Sequence, residues 1–171
     1  TTDLQSSLEK ALLAQRHYGN VWYVNSGKVG GVAGNGDSWG GAFLTMVAAQ
    51  AVVKADDVVI VAPGHVETIT AAAGLICSVA GVTWIGLGNG NRRPQINFTT
   101  AVGADMDVTG ANQTFQNFRL TGGFDALTGP LNLAAAGLSF LDIVTEDVTG
   151  QATDFIVTTD DCDRLLISGW E

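Results

Sequence analysis

The run VVIV at residues 58–61 decides the fold, because short β-like runs of its kind return along the rest of the chain. They start at Val58 (VVIV), Val82 (VTWIGL), Met106 (MDV), Leu131 (LNL) and Phe155 (FIV), in steps of 24, 24, 25 and 24 residues. A second series centres on Ile69, Ile96, Phe118, Leu141 and Leu166, in steps of 27, 22, 23 and 25. Gly, Asn, Asp or Pro breaks the runs apart. Two interleaved series with one period mark a solenoid, in which each repeat buries its apolar face against its neighbours. A period in the low twenties suits one coil of a β-helix with two or three short strands. Leucine-rich repeats share it, but their L-x-x-L-x-L frame and Asn ladder are missing here. The expected fold is all-β: a single-stranded right-handed parallel β-helix of about five coils, roughly 24 Å tall at ~4.8 Å per coil.

In such a column each coil hydrogen-bonds to the coils above and below. Inward residues are expected at Val59, Val61, Ile85, Ile96, Val108, Phe118, Ile143, Ile156 and Leu166. The end coils are open edges that need cover. Residues 42–54 (AFLTMVAAQAVVK) read as a helix apolar on most faces, placed to cap the first coil. Upstream, residues 1–18 read as a helix with Thr2 and Gln5 as a capping box and Gly19-Asn20 as the stop. Its stripe of Leu4, Leu8 and Leu12 needs a partner, in this chain or in a neighbouring subunit. The division is thus a helical arm over 1–20 and a β-helix domain over 21–171. Val21 to Val24 reads as a strand, and residues 25–41 as a glycine-rich loop. No cap is evident after Trp170-Glu171, so the last coil is expected either to meet another subunit or to continue in a longer protein.

Composition narrows the function. Seventeen acidic against eight basic residues give a net charge of −9. Nucleic acid and anionic membranes require a basic face, so neither is an expected partner. The apolar runs are too short to span a bilayer. Two distant cysteines, Cys77 and Cys162, read as buried thiols and not as a disulfide framework. The first residues lack the basic-then-apolar pattern of a secretory leader.

The run YVNSG…GDSWGGAF…AAQAVVKADDVVIVAPGHVETI resembles the opening of the pectate-lyase-like β-helix superfamily. Its positions are Tyr23, Ser38-Trp39, residues 42–54, and Asp57 through Pro63-Gly64 to Glu67. The segments 62–69, 80–98 and 108–123 resemble a group of tailed-bacteriophage virion proteins. That resemblance covers residues 21–169. It implies a capsid decoration (cement) protein on the virion surface, homotrimeric, non-catalytic, and partnered by the major capsid protein. One solenoid hosts lyases, hydrolases, tailspikes and capsid proteins, so the superfamily likeness speaks to fold more than to function.

Candidate chemistry is sparse. Asp160-Asp161-Cys162 resembles the Asp-Asp-Cys of polygalacturonases, where paired carboxylates act as acid and base. The Gly-His-Gly and Arg-x-Lys of that family are missing, which favours a polar turn. Asp105 and Asp107 share a strand face, with Arg119 as the nearest base candidate for lyase chemistry. His65 and Glu67 form a His-x-Glu pair with no second metal ligand nearby in sequence, which favours a hydrogen-bonded turn histidine. Arg92-Arg93-Pro94 is the one basic patch, either a grip on a partner's carboxylate or a solvated turn. Trp84 and Trp170 are possible sugar platforms, should the chain instead be a tailspike or tail-fibre module. No catalytic residue, cofactor or metal is assigned. The expected interface residues are Leu4, Leu8, Leu12, Arg92, Arg93 and Trp170.

Overall fold

A computed structural model describes residues 5–7, 19–147 and 152–171. The arm over 1–18, with Leu4, Leu8 and Leu12, therefore lies outside the described residues apart from the helical Gln5, Ser6 and Ser7. Ser6 is buried against the body of the same chain. The Tyr23 hydroxyl donates to the Ser6 carbonyl at 3.1 Å, and the Trp39 amide to Ser6 Oγ at 3.4 Å.

Among the described residues fourteen strands follow. They are β1 (Val21–Val24), β2 (Val58–Val61), β3 (Val66–Ile69), β4 (Leu75–Cys77), β5 (Thr83–Gly86), β6 (Gln95–Phe98) and β7 (Met106–Val108). The rest are β8 (Thr114–Gln116), β9 (Arg119–Gly122), β10 (Thr128–Leu133), β11 (Ser139–Leu141), β12 (Val144–Asp147), β13 (Asp154–Thr158) and β14 (Leu166–Ser168). All pairings are parallel, and they build three sheets. The first runs β1-β2-β5-β8-β11-β14, the second β3-β6-β9-β12 and the third β4-β7-β10-β13. Each coil contributes one strand to each sheet in turn, so the chain is a right-handed parallel β-helix, the hand that parallel crossovers take. Four coils are complete. β1 precedes them and β14 opens a fifth.

The two sequence series each slide between sheets. The first series starts on the first sheet at Val58 and Val82 and continues on the third at Met106, Leu131 and Phe155. The other leaves the second sheet for the first at Leu141. For the first series the cause is one long coil. Register partners on the first sheet are Val58, Thr83, Thr114, Ser139 and Leu166, spaced 25, 31, 25 and 27 residues apart. The extra residues of the second coil include the turn 87–94, which holds the short 3-10 segment Gly90–Arg92.

Two corners of the coil repeat a backbone device. Asp56, Gly81, Asn112, Gly137 and Arg164 all have positive φ, and each stands two residues before a first-sheet strand. At the other end of those strands Asn117, Asp142 and Gly169 do the same. One left-handed residue turns the chain through the corner, and Gly, Asn and Asp adopt that conformation at least cost.

The core is a stack of inward side chains. Trp84, Phe115 and Phe140 lie in register on β5, β8 and β11 as nearly parallel rings, 6.0 and then 5.1 Å apart. Ile96 and Leu120 form a parallel row on the second sheet, and Leu75, Met106 and Leu131 one on the third. This register corrects two inward assignments. Ile85 is half-buried, because alternation on β5 turns Trp84 inward instead. Leu166 pairs with Ser139 on the outward row and is 52 % exposed. Ile156 does point inward, stacked on Leu131 and packed against the core, and is half-buried because it stands on the last third-sheet strand.

The helix read over 42–54 is shorter than expected: α1 spans Met46–Gln50. Phe43 is held back by a parallel bridge to Val24, and Thr45 then caps the helix, its hydroxyl accepting from the Ala48 amide at 3.1 Å. Met46, Ala49 and Val53 turn into the core, so the segment does cover the first coil. The glycine-rich loop folds back beside β1. Gly36, at φ +79, lies against the Phe43 ring, where a Cβ would collide.

Candidate functional site

His65 and Glu67 are both buried, and their polar atoms are spent on backbone. The Ser26 amide donates to His65 Nδ1 at 2.9 Å, which places the neutral ring's proton on Nε2, facing Glu67 Oε2 at 3.1 Å. The same Glu67 oxygen accepts the Met46 amide at 2.6 Å. The pair thus pins the glycine-rich loop and the start of α1 to the first coil. Asp57 has a matching role. It accepts from the Asn20 amide (2.6 Å), Trp22 Nε1 (2.7 Å) and the Lys54 amide (2.8 Å).

Asp105 and Asp107 do share the outer face of the third sheet. Asn132 Nδ2 bridges them, at 3.1 Å from Asp105 and 3.0 Å from Asp107, and the Ala73 amide also donates to Asp105. Burial, helped by the Asp107 charge, raises the Asp105 carboxyl above its usual range against those two hydrogen bonds. Arg119 is not their neighbour. It stands on β9 in the second sheet, in register with Gln95, so the acid–base pairing read from sequence is not formed. Among the described residues no three His, Cys, Asp or Glu side chains are grouped to hold a metal ion.

Trp84 is fully buried and donates from Nε1 to Gln113 Oε1 at 3.0 Å, so it is a core residue and not a sugar platform. Trp170 is half-buried, its ring tilted against Phe140 at a centroid distance of 6.3 Å. Cys77 is buried, and burial pushes its thiol far up. Cys162 is only partly covered. Burial, and secondarily the Asp163 charge, raise its thiol too. Asp160, Asp161 and Asp163 are exposed in the turn between β13 and β14.

Arginine chemistry does converge at one place. A cleft of about 180 Å³ on the second sheet is lined by Gly90, Asn91, Arg93, Arg119, Val144, Glu146 and Glu171. Arg119 donates to Gln95 Oε1 at 2.6 Å and lies 3.4 Å from Glu146 Oε2. Arg93 reaches the Asp142 carbonyl at 3.4 Å, and Arg92 is exposed in the adjoining turn. The Nε atoms of Arg93 and Arg119 are buried without a hydrogen-bond partner. Sequence reading found Arg92 and Arg93 but missed Arg119 as their neighbour. The signal was the 24-residue step from Gln95 to Arg119, which stacks the two side chains.

No protein-family model matches the chain, and no curated protein sequence matches it. Among solved structures a rhamnogalacturonan lyase is similar, with a TM-score of 0.54 at 22 % identity. The match covers 78 % of this chain and 37 % of the lyase chain. At that identity the likeness speaks for the fold alone, a right-handed parallel β-helix.

Proposed function

We propose that the chain is a structural surface component of a bacteriophage virion, a decoration or cement protein that binds the major capsid protein and acts as a homotrimer without catalysis. The observation that carries this is the use made of the polar candidates. His65, Glu67 and Asp57 are buried in bonds that fasten the capping segment, while Asp105 and Asp107 stand on the third sheet and Arg119 on the second. The phage-like segments 62–69, 80–98 and 108–123 supply strands and corners of the first three coils. A stiff column of this kind offers flat faces for packing, and stable subunit contacts there need an apolar centre. Incubation of purified protein with undecorated shells tests the reading: saturable co-sedimentation is expected, and its failure at micromolar protein overturns it.

A second reading is a polysaccharide-binding or polysaccharide-cleaving module of a tailspike. The likeness to a rhamnogalacturonan lyase favours it. A cleaving module releases new unsaturated or reducing ends from acidic polysaccharide, whereas the decoration reading expects none.

A further inference from the structure

We propose that His65 is an acid-operated latch: protonation of its ring frees the loop tip 26–33, while the coils and the capping helix stay closed. The latch is independent of the decoration reading, since it concerns only how one loop of this chain is held.

Residues 26–33 (SGKVGGVA) hang on one point of attachment. The Ser26 amide donates to His65 Nδ1 at 2.9 Å, and Ser26 Oγ accepts the Val66 amide at 2.9 Å. The other hydrogen bonds of the tip stay within the loop, from the Gly27, Lys28 and Gly31 amides to Asn25 and Lys28. Anchoring to the body stops at Asn25, whose amide donates to the Phe43 carbonyl, and resumes at Gly34, whose amide donates to the Ala42 carbonyl. Val29 and Val32 are 98 % and 70 % exposed, so packing adds little to the hold.

Ring chemistry makes that one point sensitive to protons. With Nε2–H facing Glu67 at 3.1 Å, the ring position left for a second proton is Nδ1. A proton there points at the Ser26 N–H, so two donors would face each other across 2.9 Å. The imidazolium therefore forms only as Ser26 moves off. Two features ease the exchange. Ser26 is exposed, so water can take over its amide. Glu67 is held in place by the Met46 amide at 2.6 Å, and it supplies the counter-charge that a buried cation requires. Opposed partners on the two nitrogens of one ring make a two-state element that pH biases.

The surrounding elements add few charges. β2, β6 and α1 carry no titratable side chain, and Tyr23 on β1 spends its hydroxyl on the Ser6 carbonyl. On β4, burial and then the Glu67 charge push the Cys77 thiol up, so it stays neutral. Lys28 on the loop, and Arg92 and Arg93 in the turn whose Arg92 carbonyl accepts the Gly64 amide, oppose an imidazolium. They do so from the surface, where solvent screens them, whereas Glu67 touches the ring.

The test is nitrogen-15 NMR of the full chain, titrated from about pH 8 to about pH 5, the span in which histidine ordinarily changes charge. Hydrogen exchange at the Ser26 and Val66 amides is read against that at Trp84 and Phe115 in the core. The latch predicts that Ser26 and Val66 lose at least ~10-fold in protection with the same midpoint as the His65 ring, while the core amides keep theirs. His65→Asn offers the Ser26 amide an acceptor oxygen without a titrating nitrogen, so its loop should stay protected across the range. Ser26 protection indifferent to the ring's titration overturns the proposal. So do core amides that fail at the same midpoint, a ring that stays neutral to about pH 5, or a His65→Asn loop that opens as the wild type does. Should the variant not fold, the wild-type titration decides alone, because ring, loop and core are read separately.

Discussion

The side-chain oxygen of Asn112 lies where a Cβ on Gly137 would point, one coil along the same corner. Asp56 stands in the same relation to Gly81. The corner is a ladder of left-handed residues in which a polar side chain occupies the space that the next rung leaves empty. Gly137→Ala meets two penalties at once, a left-handed alanine costing about 1–2 kcal/mol and a clash with Asn112. We expect a melting temperature lower by several degrees, at ~2–4 °C per kcal/mol for a chain of this size. Calorimetry that finds the variant as stable as wild type would refute the ladder.

Arg164 is the rung that breaks the chemical pattern. It holds φ +57 with a long side chain, where other rungs are Gly, Asn or Asp. Arg164→Asn should therefore stabilise the fold by roughly 0.5–1 kcal/mol, since Asn accepts the left-handed region more readily. Urea denaturation reads this as a higher midpoint with an unchanged slope.

Asp57 ties β1, the end of the capping segment and β2 through three N–H donors. Asp57→Ala strands those donors, and a loss of ~3–5 kcal/mol is expected. Trp22→Phe removes only one of them and should cost about 1.5–3 kcal/mol. Chemical denaturation of both variants, with Asp57→Ala the worse, checks the assignment. Equal small effects would place the weight elsewhere.

The Asp105 carboxyl is raised in the folded protein by burial and by Asp107. A raised acid stabilises the fold while protonated. That contribution is full below the ordinary carboxylate range and fades as pH rises through the folded-state titration. Asp107→Asn keeps an oxygen for Asn132 and removes the charge. The variant should lose less stability than wild type between pH 4 and pH 7. Melting curves at the two pH values decide it, and parallel losses would contradict the coupling.

The fold was legible because the apolar runs recur at nearly one coil length, and the capping segment because its apolar residues crowd just before them. Register was not. Runs such as MDV and LNL carry the same alternation on whichever sheet they stand, so a 31-residue coil shifted the first series onto the wrong sheet, and steps of 22 and 23 against register steps of 24 and 25 carried the second off its own. The ladder Asp56, Gly81, Asn112, Gly137 and Arg164 held the missing registration, two residues ahead of each first-sheet strand. Trp84 was misread for the same reason, since a one-residue change of register exchanges inside and outside. The arginine cleft was half visible. Arg92 and Arg93 are adjacent in sequence, but Arg119 joins them only through the stacking of β9 on β6.

The most direct test of the decoration reading is the copy number of this chain relative to the major coat protein in purified particles, by quantitative mass spectrometry. We predict a fixed ratio to the coat protein, of the size that one site repeated over the shell requires. Complete absence from the particles, or a handful of copies per particle, would contradict it.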